Sequence, residues 1–244
     1  MDVLCGNPFV LFLIFLFGIS MGSFLNVLIY RIPNGMSIIS PPSSCPVCKK
    51  KIKPWHNVPV FGWIFLRGKC AYCGADIQVQ YPLVELFSGI LAVFVFKING
   101  CGIYSFVIFG IFWLLLGLSL IDLKYKAVPD SLSLTALTLS FFVSPDILEN
   151  AKNVLTAMGF LSALRFYVSY FKDEESMGEA DIIIGGIIGG VLGIKYAFWG
   201  LFAASVIALP FILYYNIKKK EPEMPFIPFL STGLLIVWTY INIK

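Results

Sequence analysis

The segment "LSLIDLKYKAVPD" (residues 118–130) closes a long apolar run with an acidic residue followed by basic ones. Asp122 stands where the apolar run 103–122 ends, and Lys124 and Lys126 come shortly after it. An acidic side chain inside a membrane segment is energetically costly and is usually functional. The segment therefore predicts a membrane helix that carries a functional carboxylate at its inner end.

The composition of the whole chain supports a membrane protein. Hydrophobic residues make up 58% of the 244 residues and charged residues 13%, whereas soluble domains carry about 25% charged residues. Apolar segments lie near residues 8–30, 82–97, 103–122, 131–147, 153–171, 181–194, 196–216 and 225–242. Because a spanning helix needs roughly 20 mostly apolar residues, we predict an all-α polytopic membrane protein with about eight transmembrane helices.

The lysines and arginines predict how these helices are oriented. If the N-terminus lies outside, the inner loops carry most of the positive charge: Arg31, Lys49, Lys50, Lys51, Lys53, Arg67, Lys69, Lys124, Lys126, Lys172, Lys218, Lys219 and Lys220. The outer loops and the C-terminus carry only Lys97, Lys152, Lys195 and Lys244. Because cytoplasmic loops are enriched in Lys and Arg, we predict a cytoplasmic loop at residues 31–81 and an even number of spans.

The stretch "CPVCKKKIKPWHNVPVFGWIFLRGKCAYC" (residues 45–73) places two CxxC pairs in this loop. Thiols stay reduced in the cytoplasm, and four thiolates form a common structural zinc site. Zinc would also close a loop of about fifty residues that is too small for a secure core of its own. We predict a zinc site at Cys45, Cys48, Cys70 and Cys73, the alternatives being two redox pairs or unrelated thiols. Cys5 and Cys101 fall on the outer side, as packing residues or as an outer disulfide.

Two acidic residues are predicted at matched depth near the inner face. Asp122 ends the third apolar segment and Asp181 begins the sixth. Two facing carboxylates can share one proton, so that one acts as base toward water and the other as acid toward the scissile amide. The pair therefore predicts aspartic-protease chemistry.

Each acid also has an alternative interpretation. Asp122 could be a solvated charge at a helix end, and Asp130 is a rival for its role, although "VPDSLSL" (residues 128–134) is also typical of a helix start with an N-cap. Asp173, Glu174 and Glu175 are more simply a solvated loop. A proton- or ion-coupled transporter would use the same membrane acids, and a membrane scaffold would use the zinc loop to bind a partner.

A series of motifs resembles the type IV prepilin peptidases, the bifunctional leader peptidases and N-methyltransferases of type IV pili and type II secretion. These motifs follow one another over nearly the whole chain: "GISMGSFLNVLIYRIP" (18–33), "CPVC" (45–48), "WHNVPVFGW" (55–63), "LRGKCAYCG" (66–74), "YPLVELFSG" (81–89), "DLKYKAVPDSLSL" (122–134) and "MGEADIIIGGIIGGVLG" (177–193). The last of them is similar to the family's GxGD region.

The resemblance implies roles for particular residues. Asp122 and Asp181 correspond to the two catalytic aspartates, and Gly178 to the first glycine of GxGD. Ala180 replaces the second glycine, and Ile183 stands where many members have lysine. The four cysteines of residues 45–73 correspond to the family's cytoplasmic cysteines.

The resemblance also implies a reaction sequence. The family cuts a short positive leader after glycine and then methylates the new N-terminal residue with S-adenosyl-L-methionine. The chain contains no glycine-rich dinucleotide fingerprint, so the predicted donor-binding groups are polar residues of the family-like segments: Asn26, His56, Asn57, Lys69 and Glu85. A peptidase without methyl transfer is the nearest alternative.

The implied organisation has three parts. A first transmembrane helix (1–30) is followed by a cytoplasmic zinc loop (31–81) that contributes to methyl transfer, and then by a seven-helix peptidase domain (82–244). The expected location is the bacterial inner membrane. The expected partners are prepilin or pseudopilin substrates and the lipid bilayer, and no nucleic acid.

Overall fold

The computed structural model describes residues 5–172, 178–218 and 224–244. Apart from two isolated β-bridges and a 3-10 turn (Pro54–His56), the regular elements of these ranges are α-helices, which confirms the all-α class. The helices are α1 (Pro8–Arg31), α2 (Phe61–Phe65), α3 (Gln80–Asn99), α4 (Ile103–Tyr125), α5 (Asp130–Ser140), α6 (Ile147–Lys172), α7 (Glu179–Leu192), α8 (Ile194–Lys218) and α9 (Ile227–Ile243). The predicted charges at Asp173, Glu174, Glu175, Lys219 and Lys220 lie outside the described residues.

Five helices are long and apolar enough to cross a membrane, namely α1, α3, α4, α6 and α8. α9 is also apolar but has 17 residues. α5 and α7 have 11 and 14 residues, or about 16 and 21 Å at 1.5 Å per residue, which is less than the roughly 30 Å hydrocarbon core. The predicted fourth segment (131–147) is divided, because α5 ends at Ser140 and α6 begins at Ile147. The protein is therefore a multi-pass membrane protein, and the count of eight spans stays a prediction.

The chain forms two compact units, Met1–Cys101 and Gly102–Lys244. In the first unit, α1 and α3 pack antiparallel through small residues. A Cβ added to Gly18 would lie 2.7 Å from the Cβ of Ala92, and one added to Gly22 would lie 2.6 Å from the Cα of Glu85. Only glycine permits such close approach of two membrane helices. This compactness does not test the functional division at residue 81, which stays a prediction.

A disulfide joins Cys5, just before α1, to Cys101, just after α3, with the two Cα atoms 5.6 Å apart. Of the two alternatives for these cysteines, the structure shows the disulfide. The loop with the four other cysteines connects the opposite ends of the same two helices. The α1–α3 pair thus has an oxidised cysteine pair at one end and free thiols at the other.

In the second unit, α7 packs closely against α5 and α6, with no room for larger side chains at its glycines. A Cβ on Gly189 would lie 2.5 Å from the Cβ of Ala157 in α6, and one on Gly190 would lie 2.9 Å from both the Cβ and the carbonyl oxygen of Ser140 in α5. The glycine pairs of "GGIIGG" (185–190) therefore let α7 sit between its neighbours. This packing fixes the first turn of α7, which contains Asp181.

Candidate active site and metal centre

Asp122 lies buried in the last turns of α4. One oxygen of its carboxylate, Oδ2, accepts a hydrogen bond from the backbone NH of Ile227 at 3.2 Å. Ile227 is the first residue of α9, where amide hydrogens have no partner within the helix and carry partial positive charge. The N-terminus of α9 thus orients the Asp122 carboxylate.

Asp181 is the third residue of α7, after the N-cap Gly178. Its backbone NH donates to the carbonyl of Gly178 at 3.2 Å, and its carboxylate accepts the Gly178 NH. This reciprocal bonding resembles a capping box, in which an acidic third residue reaches back to the N-cap amide. Ala180 lies within the helix, where alanine is favourable, so the glycine that it replaces is not required here by backbone conformation.

The two carboxylates lie close enough for their charges to interact. The structure thus brings together the two residues that the sequence pairs. Asp130, by contrast, is exposed and begins α5, whereas Pro129 is the N-cap. The N-cap interpretation of Asp130 was wrong by one residue. Two interacting carboxyl groups, each bound by a backbone amide, can divide acid and base roles between them.

The four loop thiols form one cluster. The sulfur atoms of Cys45, Cys48, Cys70 and Cys73 all lie within 4.8 Å of one another, and those of Cys45 and Cys73 are 3.8 Å apart. A tetrahedral zinc ion with Zn–S bonds of about 2.3 Å separates its sulfurs by about 3.8 Å. The four predicted thiols therefore form one cluster that could hold a metal ion, and zinc at this cluster stays a prediction.

Two similar turns present these thiols. In the first, the NH of Lys49 donates to the Cys45 carbonyl at 2.9 Å and the Cys45 NH to the Lys50 carbonyl at 3.0 Å. In the second, Gly74 bonds to Cys70 in the same way at 2.9 Å. Lys49 and Gly74 both have positive φ, at 57° and 73°. Glycine suits this left-handed conformation, whereas lysine adopts it at a cost.

The thiols differ in acidity. Backbone amides of Cys48 and Val47 donate to the Cys45 sulfur and lower the pKa of this thiol to about 6. For Cys73, the hydrogen bond from the Ala75 amide lowers the pKa, but desolvation and the three neighbouring sulfurs outweigh it and raise the pKa to about 11. Crowded thiolates repel one another, and a bound dication relieves that repulsion.

The five predicted donor-binding residues fall into two groups. Asn26 and Glu85 are buried between α1 and α3, where the Asn26 amide donates to the Tyr81 carbonyl at 3.0 Å. His56, Asn57 and Lys69 belong to the loop, and the His56 ring lies 6.3 Å from the Tyr72 ring of the second cysteine turn.

A direct bond links the loop to the helices. Oε2 of Glu85 accepts the backbone NH of Val60 at 2.7 Å, and the carboxylate also bonds the Ser23 hydroxyl. Val60 has φ 62° and ψ −54°, and the Phe61 NH donates to the Pro59 carbonyl at 2.6 Å. This is a γ-turn of the rare type with positive φ, and a β-branched residue there is strained. Sequence reasoning missed this contact and that of Ile227, because backbone amides leave no signal in a sequence.

Two family profiles together match most of the chain. Residues 16–98 match the Bacterial Peptidase A24 N-terminal domain. Residues 108–213 match the Type IV leader peptidase family. The first profile includes the cysteine loop and α3, and the second includes both aspartates.

Several proteins named prepilin leader peptidase/N-methyltransferase are similar to the chain. The protein from Dichelobacter nodosus is 30% identical, with 96% of this chain and 93% of the relative covered. The protein from Legionella pneumophila is 30% identical, with 91% and 88% covered, and that from Aeromonas hydrophila is 30% identical, with 96% and 92% covered. No solved structure matches the chain. The chain belongs to the type IV leader peptidase family, which confirms the resemblance, and it is an enzyme.

Proposed function

We propose that the protein removes the short, positively charged leader from type IV prepilins or pseudopilins and then N-methylates the new N-terminal residue. The cut would follow a glycine at the cytoplasmic boundary of the membrane. The observation that carries the peptidase half is the pair of interacting carboxylates, Asp122 and Asp181, each bound at the N-terminus of a helix. The names of the relatives support the methyltransferase half.

In this proposal, Asp122 and Asp181 hold one proton between them. The ionised carboxylate accepts a proton from water as the water oxygen attacks the scissile carbonyl carbon. The protonated partner donates its proton to the carbonyl oxygen, and a carboxyl group then protonates the departing amine. The amide hydrogens of Ile227 and Gly178 keep the two carboxylates oriented, so that neither reorganises during the reaction.

The methyl-transfer half uses the first unit. S-adenosyl-L-methionine supplies an electrophilic methyl group when bound, and the residues proposed to hold it are Asn26, His56, Asn57, Lys69 and Glu85. The buried Glu85 carboxylate is opposite in charge to the positive sulfonium and would attract it. The loop (31–81) is proposed to contribute to methyl transfer after the leader has been removed. The first helix (1–30) and the peptidase domain (82–244) complete the proposed division.

The proposed topology places the N-terminus outside the bacterial inner membrane, with eight spans and a cytoplasmic zinc loop. The cysteines support this orientation. Oxidising compartments permit disulfides and the cytoplasm keeps thiols reduced, and the Cys5–Cys101 disulfide and the free thiols stand at opposite ends of α1 and α3.

A cleavage assay with purified protein tests the proposal. The substrate is a peptide with a basic leader, glycine, phenylalanine and an apolar helix, and mass spectrometry identifies the products. We expect a cut after glycine and addition of one methyl group to the phenylalanine amine. Absence of any cut would reject the peptidase assignment, and a cut without methylation would leave a peptidase alone.

A further inference from the structure

The cytoplasmic loop carries a cluster of exposed apolar side chains around α2. This α2 patch consists of Trp55, Val58, Phe61, Ile64 and Phe65, and Phe65 is 92% exposed. Large apolar side chains grouped on a surface usually mark a site of interaction with a partner or a membrane.

The opposite side of α2 is fixed against the loop. A Cβ on Gly62 would clash with the His56 carbonyl oxygen, and the Trp63 indole donates to the Ile77 carbonyl at 3.1 Å. The helix therefore has one orientation, with Phe61, Ile64 and Phe65 turned outward.

The bond between Val60 and Glu85 sets the position of α2 along the axis of α3. Val60 precedes α2 directly, and its NH is 2.7 Å from the Glu85 carboxylate. Glu85 is the sixth residue of α3, about 7–8 Å along the axis from the helix start. α3 has 20 residues, or about 30 Å, which equals the hydrocarbon thickness. Val60 is thus held about 7–8 Å from the start of a helix that is long enough to span the membrane.

Basic side chains flank the patch. The Lys53 ammonium lies 5.3 Å from the Trp55 ring centre, and Arg67 and Lys69 are exposed after α2. Aromatic residues favour the membrane interface, and lysine and arginine near the surface are attracted to anionic headgroups. The position of α2 along α3, its exposed apolar side chains and the basic residues beside them therefore indicate that the α2 patch contacts lipid, and not water or another protein.

We propose that the α2 patch inserts into the headgroup and acyl boundary of the membrane and anchors the zinc loop there. Interfacial helices bury their apolar face by about 5–10 Å, which agrees with the depth of the Val60–Glu85 bond. The inference rests on the proposed cytoplasmic placement of the loop for the leaflet concerned, but not on either catalytic activity.

The test measures contact with lipid directly. A fluorescent coumarin amino acid is incorporated at position 65 or, as a second probe of the same patch, at position 61. The control carries it at position 47, because Val47 is 68% exposed in the first cysteine turn. Each protein is placed in nanodiscs of phosphatidylethanolamine and phosphatidylglycerol with lipids spin-labelled near the headgroup. Both leaflets are accessible, so the result does not depend on orientation or activity.

We expect spin-labelled lipid to remove most of the fluorescence at positions 65 and 61 and little at position 47, with aqueous iodide giving the reverse order. Equal lipid quenching at all three positions would overturn the proposal. It would also be overturned if positions 65 and 61 were quenched by iodide alone and became protected when a prepilin peptide was added, since the patch would then be a protein-docking surface.

Discussion

The backbone NH of Ile227 donates to the carboxylate of Asp122 across 105 positions of sequence, at 3.2 Å. Ile227 begins α9 and Asp122 lies near the end of α4. The bond therefore holds the start of α9 next to the end of α4. Asp181 is bound in a comparable way by the amide of Gly178. Both members of the proposed dyad thus have their orientation set by backbone amides.

We expect Asp122→Asn and Asp181→Asn each to reduce leader cleavage by at least about 100-fold, the lower range for loss of a general acid or base. Asparagine keeps the size of the side chain, and its amide oxygen can still accept the backbone NH, but it cannot exchange the proton. Cleavage of a prepilin peptide by purified, folded protein is the measurement. Asp130→Asn is the control and should retain much of the activity, because Asp130 is exposed. A dyad variant with near-normal rate, or loss of activity only in Asp130→Asn, would contradict the assignment.

Elemental analysis should find about one zinc per chain, since four thiolates make a closed site. Changing Cys45 or Cys73 to serine should lower the zinc content, because three thiolates bind less tightly. Cys5→Ser combined with Cys101→Ser should leave it unchanged, since those cysteines form the disulfide. Freshly prepared, reduced protein that contains no metal would reject the zinc site.

The matched turns at Lys49 and Gly74 allow a conformational test of the zinc loop. A Cβ on Gly74 meets no atom within 4 Å, so Gly74→Ala should weaken zinc retention only through its positive φ, by about 1 kcal/mol. Lys49→Gly should strengthen retention by a similar amount. The concentration of chelator that removes half of the zinc measures both effects. Effects of the same sign in the two variants would disprove the explanation.

Glycine at position 189 should be needed for the close packing of α7. Gly189→Ala places a methyl group 2.5 Å from the Cβ of Ala157 and 2.7 Å from the carbonyl oxygen of Asn153, and overpacking of this kind costs about 1–3 kcal/mol. We expect a lower melting temperature and slower cleavage, because the turn that carries Asp181 moves. Gly159→Ala is the control, since its Cβ meets no atom within 4 Å. The prediction fails if both variants melt at the same temperature.

The two activities should be separable. Asp181→Asn should still methylate a pre-cleaved pilin with a free N-terminal phenylalanine, because the proposed donor-binding residues do not include Asp181. Glu85→Gln should cut the leader but methylate poorly, because the charge that would stabilise a sulfonium is lost. Incorporation of label from S-adenosyl-L-methionine into pre-cleaved substrate is the measurement.

A second variant at position 85 distinguishes charge from position. Glutamine can still accept the Val60 NH through its amide oxygen, whereas alanine cannot. If Glu85→Gln methylates normally and only Glu85→Ala fails, Glu85 acts by holding Val60 and not by its charge. Loss of methylation in a folded Asp181→Asn protein would show that the two sites are not separable.

The sequence by itself determined the class of fold and the chemical groups of the sites. A membrane-spanning helix is a matter of length and hydrophobicity, which is why α1, α3, α4, α6 and α8 coincide with apolar segments. A cysteine cluster is a matter of spacing, and the two CxxC pairs do converge. The resemblance to the family rested on several motifs that follow one another along the chain in the same order as in the family.

Only the tertiary structure decided which groups meet. The Cys5–Cys101 disulfide, the contact of Asp122 with Ile227 and the bond of Glu85 to Val60 join residues far apart in the chain. Two of these partners are backbone amides. Every residue except proline has a backbone amide hydrogen, so the sequence does not indicate which one forms the bond. Their selection depends on how closely the helices approach one another, as at Gly18 and Gly22 of α1, because packing decides which backbone amides come within reach of a buried carboxylate.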